Sequence, residues 1–206
     1  VSHELNQPLA AMRTYIAGAK LLLERKRTDE AQASIQRMDD LIGRMGLLTR
    51  QLKSFARKGE QDVRPLDLRD AVRGALSVMQ PQLNQHAIEL VTDLPSSPCM
   101  VNGDQLRIEQ ILVNLIRNAL DAIRGQEHRR ISVMVAPGPD YVIRVADNGP
   151  GLPKEASAIF EPFFTTKKPG EGLGLGLAIS AGIAQDLGGR LVAQNRDGEG
   201  ACFELH

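Results

Sequence analysis

Four short runs between residues 114 and 177 carry side chains and glycines suited to a phosphorylated ligand. In Asn114-Leu115-Ile116-Arg117-Asn118-Ala119-Leu120-Asp121-Ala122, the two asparagines are four apart, so on a helix both amides leave one face. An amide oxygen can ligate Mg2+, a hard cation that takes further ligands from water and substrate phosphates. Taken alone, the pair reads equally well as surface or capping amides. Asp147-Asn148-Gly149-Pro150-Gly151 follows a strand-like stretch. Gly149 and Gly151 permit a tight turn and close approach of a planar ligand. Asp147 could accept a hydrogen bond from an adenine amino group, a bond that a guanine carbonyl cannot donate. In isolation this run is only a turn.

The third run, Phe160-Glu161-Pro162-Phe163-Phe164-Thr165-Thr166-Lys167, holds three of the five phenylalanines. They read as an anchor for a mobile segment, with Lys167 or Lys168 able to reach terminal phosphates. The fourth, Gly172-Leu173-Gly174-Leu175-Gly176-Leu177, leads into a helix, where backbone N–H groups suit β- and γ-phosphates. Residues 165–173 between them read as a lid. The spacing is GxGxG without a preceding strand, which argues against a dinucleotide fold, and no GxxxxGK[ST] phosphate loop occurs.

Composition narrows the field. The 206 residues carry 25 basic and 25 acidic side chains, so the electrostatic footprint of a nucleic-acid binder is absent and no direct nucleic-acid partner is expected. Cys99 and Cys202 stand far apart with no CxxC, which reads as two reduced, partly buried small hydrophobes rather than a zinc site. No run reaches the roughly 18 apolar residues of a membrane span, so no membrane contact is expected from these residues. The sequence opens inside a helical pattern, which suggests a piece of a longer protein.

The elements that must position these groups divide into two units, residues 1–59 and 60–206. In the first, Leu5, Leu9, Met12, Ile16, Ala19 and Leu23 alternate spacings of four and three, the seam of a long helix. Glu24 to Asp29 read as a turn, with Thr28 or Asp29 capping a second helix over about 30–58. Ile35, Met38, Ile42, Met45 and Leu52 form the second seam, widened by Leu41, Leu48 and Phe55. Two helices cannot enclose stripes this broad. Either a second copy completes a four-helix bundle, making a homodimer, or the hairpin packs on its own chain. Gly59 to Pro65 read as a hinge. Beyond it, helices are predicted over 67–85, 104–123 and 176–187, and strands over 87–92, 131–136, 141–146, 190–194 and 201–205. That alternation predicts a two-layer α/β sandwich with helices on one face of a mixed sheet.

His3 lies roughly 160° around the first helix from Leu5, so it faces water and keeps a nucleophilic ring nitrogen near neutral pH. Glu4 can accept a proton from the other ring nitrogen, and Gln7 shares the face one turn later. His86, His128 and His206 lack such a setting and read as structural or solvent-facing.

The four runs, in this order, resemble the N, G1, F and G2 boxes of the histidine kinase ATP-binding domain, in the superfamily that also holds DNA gyrase, Hsp90 and MutL. Ser2-His3-Glu4-Leu5-Asn6-Gln7-Pro8-Leu9 resembles the H box of the same kinases. By this resemblance the chain is a sensor histidine kinase core: a dimerisation and phosphotransfer hairpin followed by the ATP-binding sandwich. ATP and Mg2+ are implied as cofactors, with Asn118 the principal Mg2+ ligand, Asn114 its companion, and Asp147 the adenine reader. Gly149, Gly151, Lys167, Gly172, Gly174 and Gly176 are implied to line the nucleotide. His3 is implied as the phosphoacceptor with Glu4 beside it, and a response-regulator receiver domain as the partner. Gln7 departs from the Thr or Asn usual at its position, which sets phosphatase activity in doubt. The segment from His3 to Leu22, with Asn6-Gln7 and Tyr15-Ile16-Ala17-Gly18-Ala19-Lys20, further resembles kinases of the C4-dicarboxylate transport type. That subgroup implies a cytoplasmic part of a bacterial inner-membrane protein.

Overall fold

The computed structural model describes residues 2–38, 62–138, 140–153, 156–167, 174–196 and 200–206, and of residues 2–11, 156 and 157 only the backbone. The second-helix seam beyond Met38, the hinge residues 59–61, Gly172, Lys168 and the side chains of His3, Glu4 and Gln7 therefore lie outside what is described. The chain divides into two compact units, residues 1–58 and 59–206.

In the first unit, α1 spans Ser2–Glu24. Lys26 takes a left-handed conformation (φ 59°), and its N–H donates to Leu23 O while Arg27 N–H donates to Leu22 O, both at 2.9 Å. This crossed pair of bonds satisfies the terminal carbonyls and reverses the chain within two residues. Helix α2 therefore starts at residue 28, earlier than the sequence suggests, and is helical throughout the described stretch 28–38. Ala31 N–H donates to Arg27 O, so Thr28 and Asp29 lie inside the first turn rather than capping it. Ala19 and Ala31 are buried where small residues let the helices approach, and the Arg37 guanidinium lies 5.9 Å from the Tyr15 ring centroid. Ile16, Leu23 and Ile35, all seam residues, remain about half exposed, at 45%, 52% and 51%. Among the described residues, the apolar seam of the hairpin is left partly open.

The second unit begins with β1 (Arg64–Asp67), followed by α3 (Leu68–Gln85), β2 (Glu89–Asp93), β3 (Met100–Gly103), α4 (Gln105–Ala122), β4 (Arg130–Ala136) and β5 (Val142–Asp147). A short 3-10 helix (Ala156–Phe160), α5 (Gly176–Asp186), β6 (Leu191–Asn195) and β7 (Ala201–Leu205) complete it. The main sheet has the order β2-β4-β5-β7-β6, with β2 parallel to β4 and every other pair antiparallel. Alternation buries Ile131, Val133 and Val135 of β4 and Ile143, Val145 and Asp147 of β5. Helix α4 packs against α3, α5 and the sheet. It buries Ile108, Ile111, Leu112, Leu115, Ile116, Ala119 and Leu120, spaced as a 3.6-residue period requires. A fully buried Leu or Ile contributes about 1.5–3 kcal/mol, so α4 is the spine of this core. The observed architecture is the predicted two-layer sandwich.

Two features are new, the β1–β3 ribbon and the cap of α3, whereas the helix itself follows the expected 67–85 span. Strands β1 and β3 pair antiparallel as a separate ribbon, so Pro65, read from sequence as part of a hinge, sits inside a short strand opposite Asn102. Helix α3 continues through Pro81 to Gln85, and is capped by Asp67, whose carboxylate accepts from Arg69 N–H.

Candidate functional site

Asn114, Asn118 and Asp121 follow one another at i, i+4 and i+7 along one face of α4, each partly exposed. Asn114 Nδ2 donates to Ser180 Oγ of α5 at 2.9 Å. Gly176 opens α5, and a Cβ there would collide with Asn114 Oδ1. The last glycine of the G-rich run thus lets the helix close on an asparagine amide. Leu175 at the N-cap of α5 offers no side-chain cap, and among the described residues no side chain is seen to bond the first N–H groups of the helix, which suit an anion. Gly174 has φ +65°, its Cβ position overlaps the Phe163–Phe164 backbone, and its carbonyl accepts from Phe163 N–H at 3.1 Å. That bond laces the Phe-rich run to the Gly-rich run. Of the three phenylalanines, Phe163 is 37% exposed while Phe160 and Phe164 are half-buried, and Ile159 of the 3-10 helix is buried beside them in sequence.

Asp147 ends β5 and is 3% exposed. Its Oδ1 accepts from Gly149 N–H at 2.8 Å and Ala201 N–H at 3.5 Å, while Oδ2 makes no hydrogen bond among the described residues. Burial pushes the carboxyl pKa up, and the two backbone N–H groups and nearby Arg196 oppose this without cancelling it. Gly149 lies against Ala122 of α4, and Gly151 (φ +84°) against the Asn195 amide. Asn195 Oδ1 accepts from Leu152 N–H at 2.6 Å, which fixes the turn from β6. Asn148 accepts from Arg130 N–H at 2.9 Å and donates to His128 O at 2.7 Å, a structural clamp between strands.

Lys167 Nζ pairs with Asp121 Oδ2 at 2.5 Å, and Asp121 Oδ1 also faces Arg124 at 2.9 Å. The lysine is therefore held on α4, one turn beyond Asn118. Direct contacts join Asn114 to Gly176 and Ser180, Lys167 to Asp121, Gly174 to the Phe163–Phe164 backbone, and Gly149 to Asp147 and Ala122. His3, Glu4 and Gln7 belong to the other unit, on the first two turns of α1. Sequence reading missed Ser180, Asn195, Ile159 and Asp121 as site-builders. Only Asp121 carried a signal, its i+3 spacing from Asn118.

Among the described residues, no group of three or more His, Cys, Asp or Glu could hold a metal. A divalent cation would therefore depend on amide oxygens and on the phosphates of a ligand, which suits Asn114 and Asn118. Cys99 and Cys202 are free and buried, and burial raises both thiol pKa values, which leaves them unreactive.

Comparison with known proteins joins the two units. The family described as "Histidine kinase-, DNA gyrase B-, and HSP90-like ATPase" matches residues 103–206, and "His Kinase A (phospho-acceptor) domain" matches residues 1–61. The chain belongs to the sensor histidine kinases, with a phosphoacceptor domain followed by an ATPase domain of the kinase, gyrase B and Hsp90 type. It is 40% identical over 209 residues to the C4-dicarboxylate transport sensor protein DctB of Pseudomonas aeruginosa, covering 100% of this chain and 34% of that protein. It is 36% identical over 197 residues to the protein of the same name from Rhizobium meliloti, covering 95% and 31%. The chain thus spans about a third of the length of these relatives. Among solved structures, the catalytic domain of histidine kinase ThkA aligns with a TM-score of 0.62 at 28% identity, over 70% of this chain and 93% of that one. ThkA in complex with the response regulator TrrA aligns with a TM-score of 0.80 at 23% identity, over 100% and 58%, a likeness of fold. No described helix is long and apolar enough to cross a membrane.

Proposed function

We propose that this chain phosphorylates its own His3 from ATP and passes the phosphoryl group to an aspartate of a response-regulator receiver domain, acting as a homodimer. The observation that carries the reading is Asp147: a carboxylate buried at a strand end, one oxygen held by backbone N–H groups and the other unclaimed. An adenine amino group supplies the missing donor. Gly149 and Gly151 let the ring approach, and the uncapped start of α5 meets the phosphates. Asn118 and Asn114 would hold Mg2+, which neutralises developing charge on the β- and γ-phosphate oxygens. Lys167 exchanges Asp121 for a phosphate oxygen as the lid segment closes.

In the transfer step, a His3 ring nitrogen forms a bond to the γ-phosphorus, the bond to the ADP leaving oxygen breaks, and Glu4 takes the proton from the other ring nitrogen. The half-exposed Ile16, Leu23 and Ile35 supply the dimer seam, and the ThkA–TrrA complex supports a receiver domain as partner. In this reading the chain is the cytoplasmic kinase core of an inner-membrane sensor of the C4-dicarboxylate transport type. Gln7 stands where a shorter Thr or Asn would orient a hydrolytic water, so phosphatase activity is not part of this reading.

Incubation with γ-labelled ATP and Mg2+ tests the proposal. Acid-labile, base-stable label on the wild-type chain is expected, and its loss in His3→Ala and in Asn118→Ala. Hydrolysis without label would instead assign an ATPase, and binding with neither a nucleotide-sensing scaffold.

A further inference from the structure

Helix α5 turns two small residues, one turn apart, toward Asn114 of α4. Gly176 lacks the Cβ that would strike Asn114 Oδ1, and Ser180 Oγ accepts from Asn114 Nδ2 at 2.9 Å. Ser180 is 2% exposed, and among the described residues it and Asp147 are the buried polar side chains. Its helix neighbours Ile179, Ile183 and Ala184 are buried and apolar. A hydroxyl in such a place needs a hydrogen-bond partner, and the one it has is Asn114, so the end it can serve is to hold that amide.

That end follows from the chemistry of an asparagine amide. Its oxygen and nitrogen are almost equal in size, yet only the oxygen ligates a hard cation. A serine within a helix tends to donate to the carbonyl four residues back, which leaves its lone pairs for an incoming N–H. The positive N-terminal end of α5, beside Gly176, likewise favours the oxygen over the amino group. Both influences select one orientation of the amide: Nδ2 into the α4–α5 interface and Oδ1 toward the start of α5.

We propose that Ser180 is a positioning residue for the cation site, fixing the Asn114 amide so that its oxygen faces bound Mg2+; this rests on the kinase reading above. The test is titration of a fluorescent ATP analogue onto the full chain, in EDTA and across a Mg2+ series. Ser180→Ala is expected to keep the Mg2+-free affinity within about twofold and to raise the Mg2+ concentration for half-maximal strengthening about tenfold, the lower end for a group that orients a metal ligand. Ser180→Thr, which restores the hydroxyl, is expected to return the wild-type response. Wild-type Mg2+ dependence in Ser180→Ala would overturn the assignment, as would an equal loss of affinity with and without Mg2+. Asn118→Ala separates the two levels: if it too leaves the Mg2+ response intact, the cation site itself is wrong and the Ser180 role falls with it.

Discussion

Asp67 and Asp147 are both largely withdrawn from water, and they titrate in opposite directions. Asp67, with 13% of its side chain exposed, is saturated: it accepts from the N–H groups of Arg69 and Cys99 and is held by the Arg69 guanidinium, Nη2–Oδ2 2.6 Å. Arg69 also donates to Ser96 O at 2.7 Å. The Arg69 hydrogen bonds, aided by the backbone donors, hold the Asp67 carboxyl well below the usual carboxylate range. Asp147 receives two backbone N–H groups on one oxygen, and its burial pushes it the other way. One carboxylate ties α3 to the β2–β3 connection. The other has its protein partners on one oxygen, and leaves the second open to water or to a ligand.

The largest expected effect lies on the structural side. Asp67→Ala removes a helix cap and leaves the Arg69 guanidinium without its counter-ion, which should cost about 2–4 kcal/mol in urea unfolding. A loss below about 1 kcal/mol would erase the contrast. Next comes Asp147→Asn, which should weaken ATP binding about 10–100-fold, the worth of one hydrogen bond to a charged group. The same change should raise the melting temperature of the nucleotide-free protein by about 2–4 °C, since it removes an under-solvated charge. Stabilisation with loss of binding is the signature to look for; destabilisation would make Asp147 a second Asp67.

The pH dependence sharpens the pair further. A lowered folded pKa means that the unfolded chain binds the proton more readily. The Asp67 contribution is therefore full at neutral pH and is lost as the pH drops from about 4 toward the folded pKa. A raised folded pKa reverses the sign: the Asp147 contribution declines as pH rises from the ordinary carboxylate value to the folded one, then stays level. Acid titration of stability should flatten in Asp67→Asn and steepen in Asp147→Asn. The smallest effect belongs to Asp121, whose partners Lys167 and Arg124 are partly or largely exposed. Asp121→Asn should change stability by less than about 1 kcal/mol.

Much of this was legible in sequence because it is local. The period of α4, the i, i+4 asparagines and the Asp-x-Gly-x-Gly turn are all written within a few residues. The β1–β3 ribbon was not, since four-residue strands containing a proline carry no usable alternation. Nor were Ser180 and Asn195, which act on residues 66 and 43 positions away and have no pattern of their own. The glycines divide the same way. Gly151 and Gly174 need their positive φ, whereas Gly176 is required by an asparagine amide on another helix.

The bond from Phe163 N–H to Gly174 O has a consequence for how such proteins diverge. It pins both feet of an excursion of about ten residues to the domain, so the register of β5 and β7 does not depend on how long that excursion is. Doubling a pinned loop costs only about 0.6 kcal/mol in closure entropy. Insertions and deletions between residues 163 and 174 can therefore accumulate while the β5–β7 pairing keeps its register.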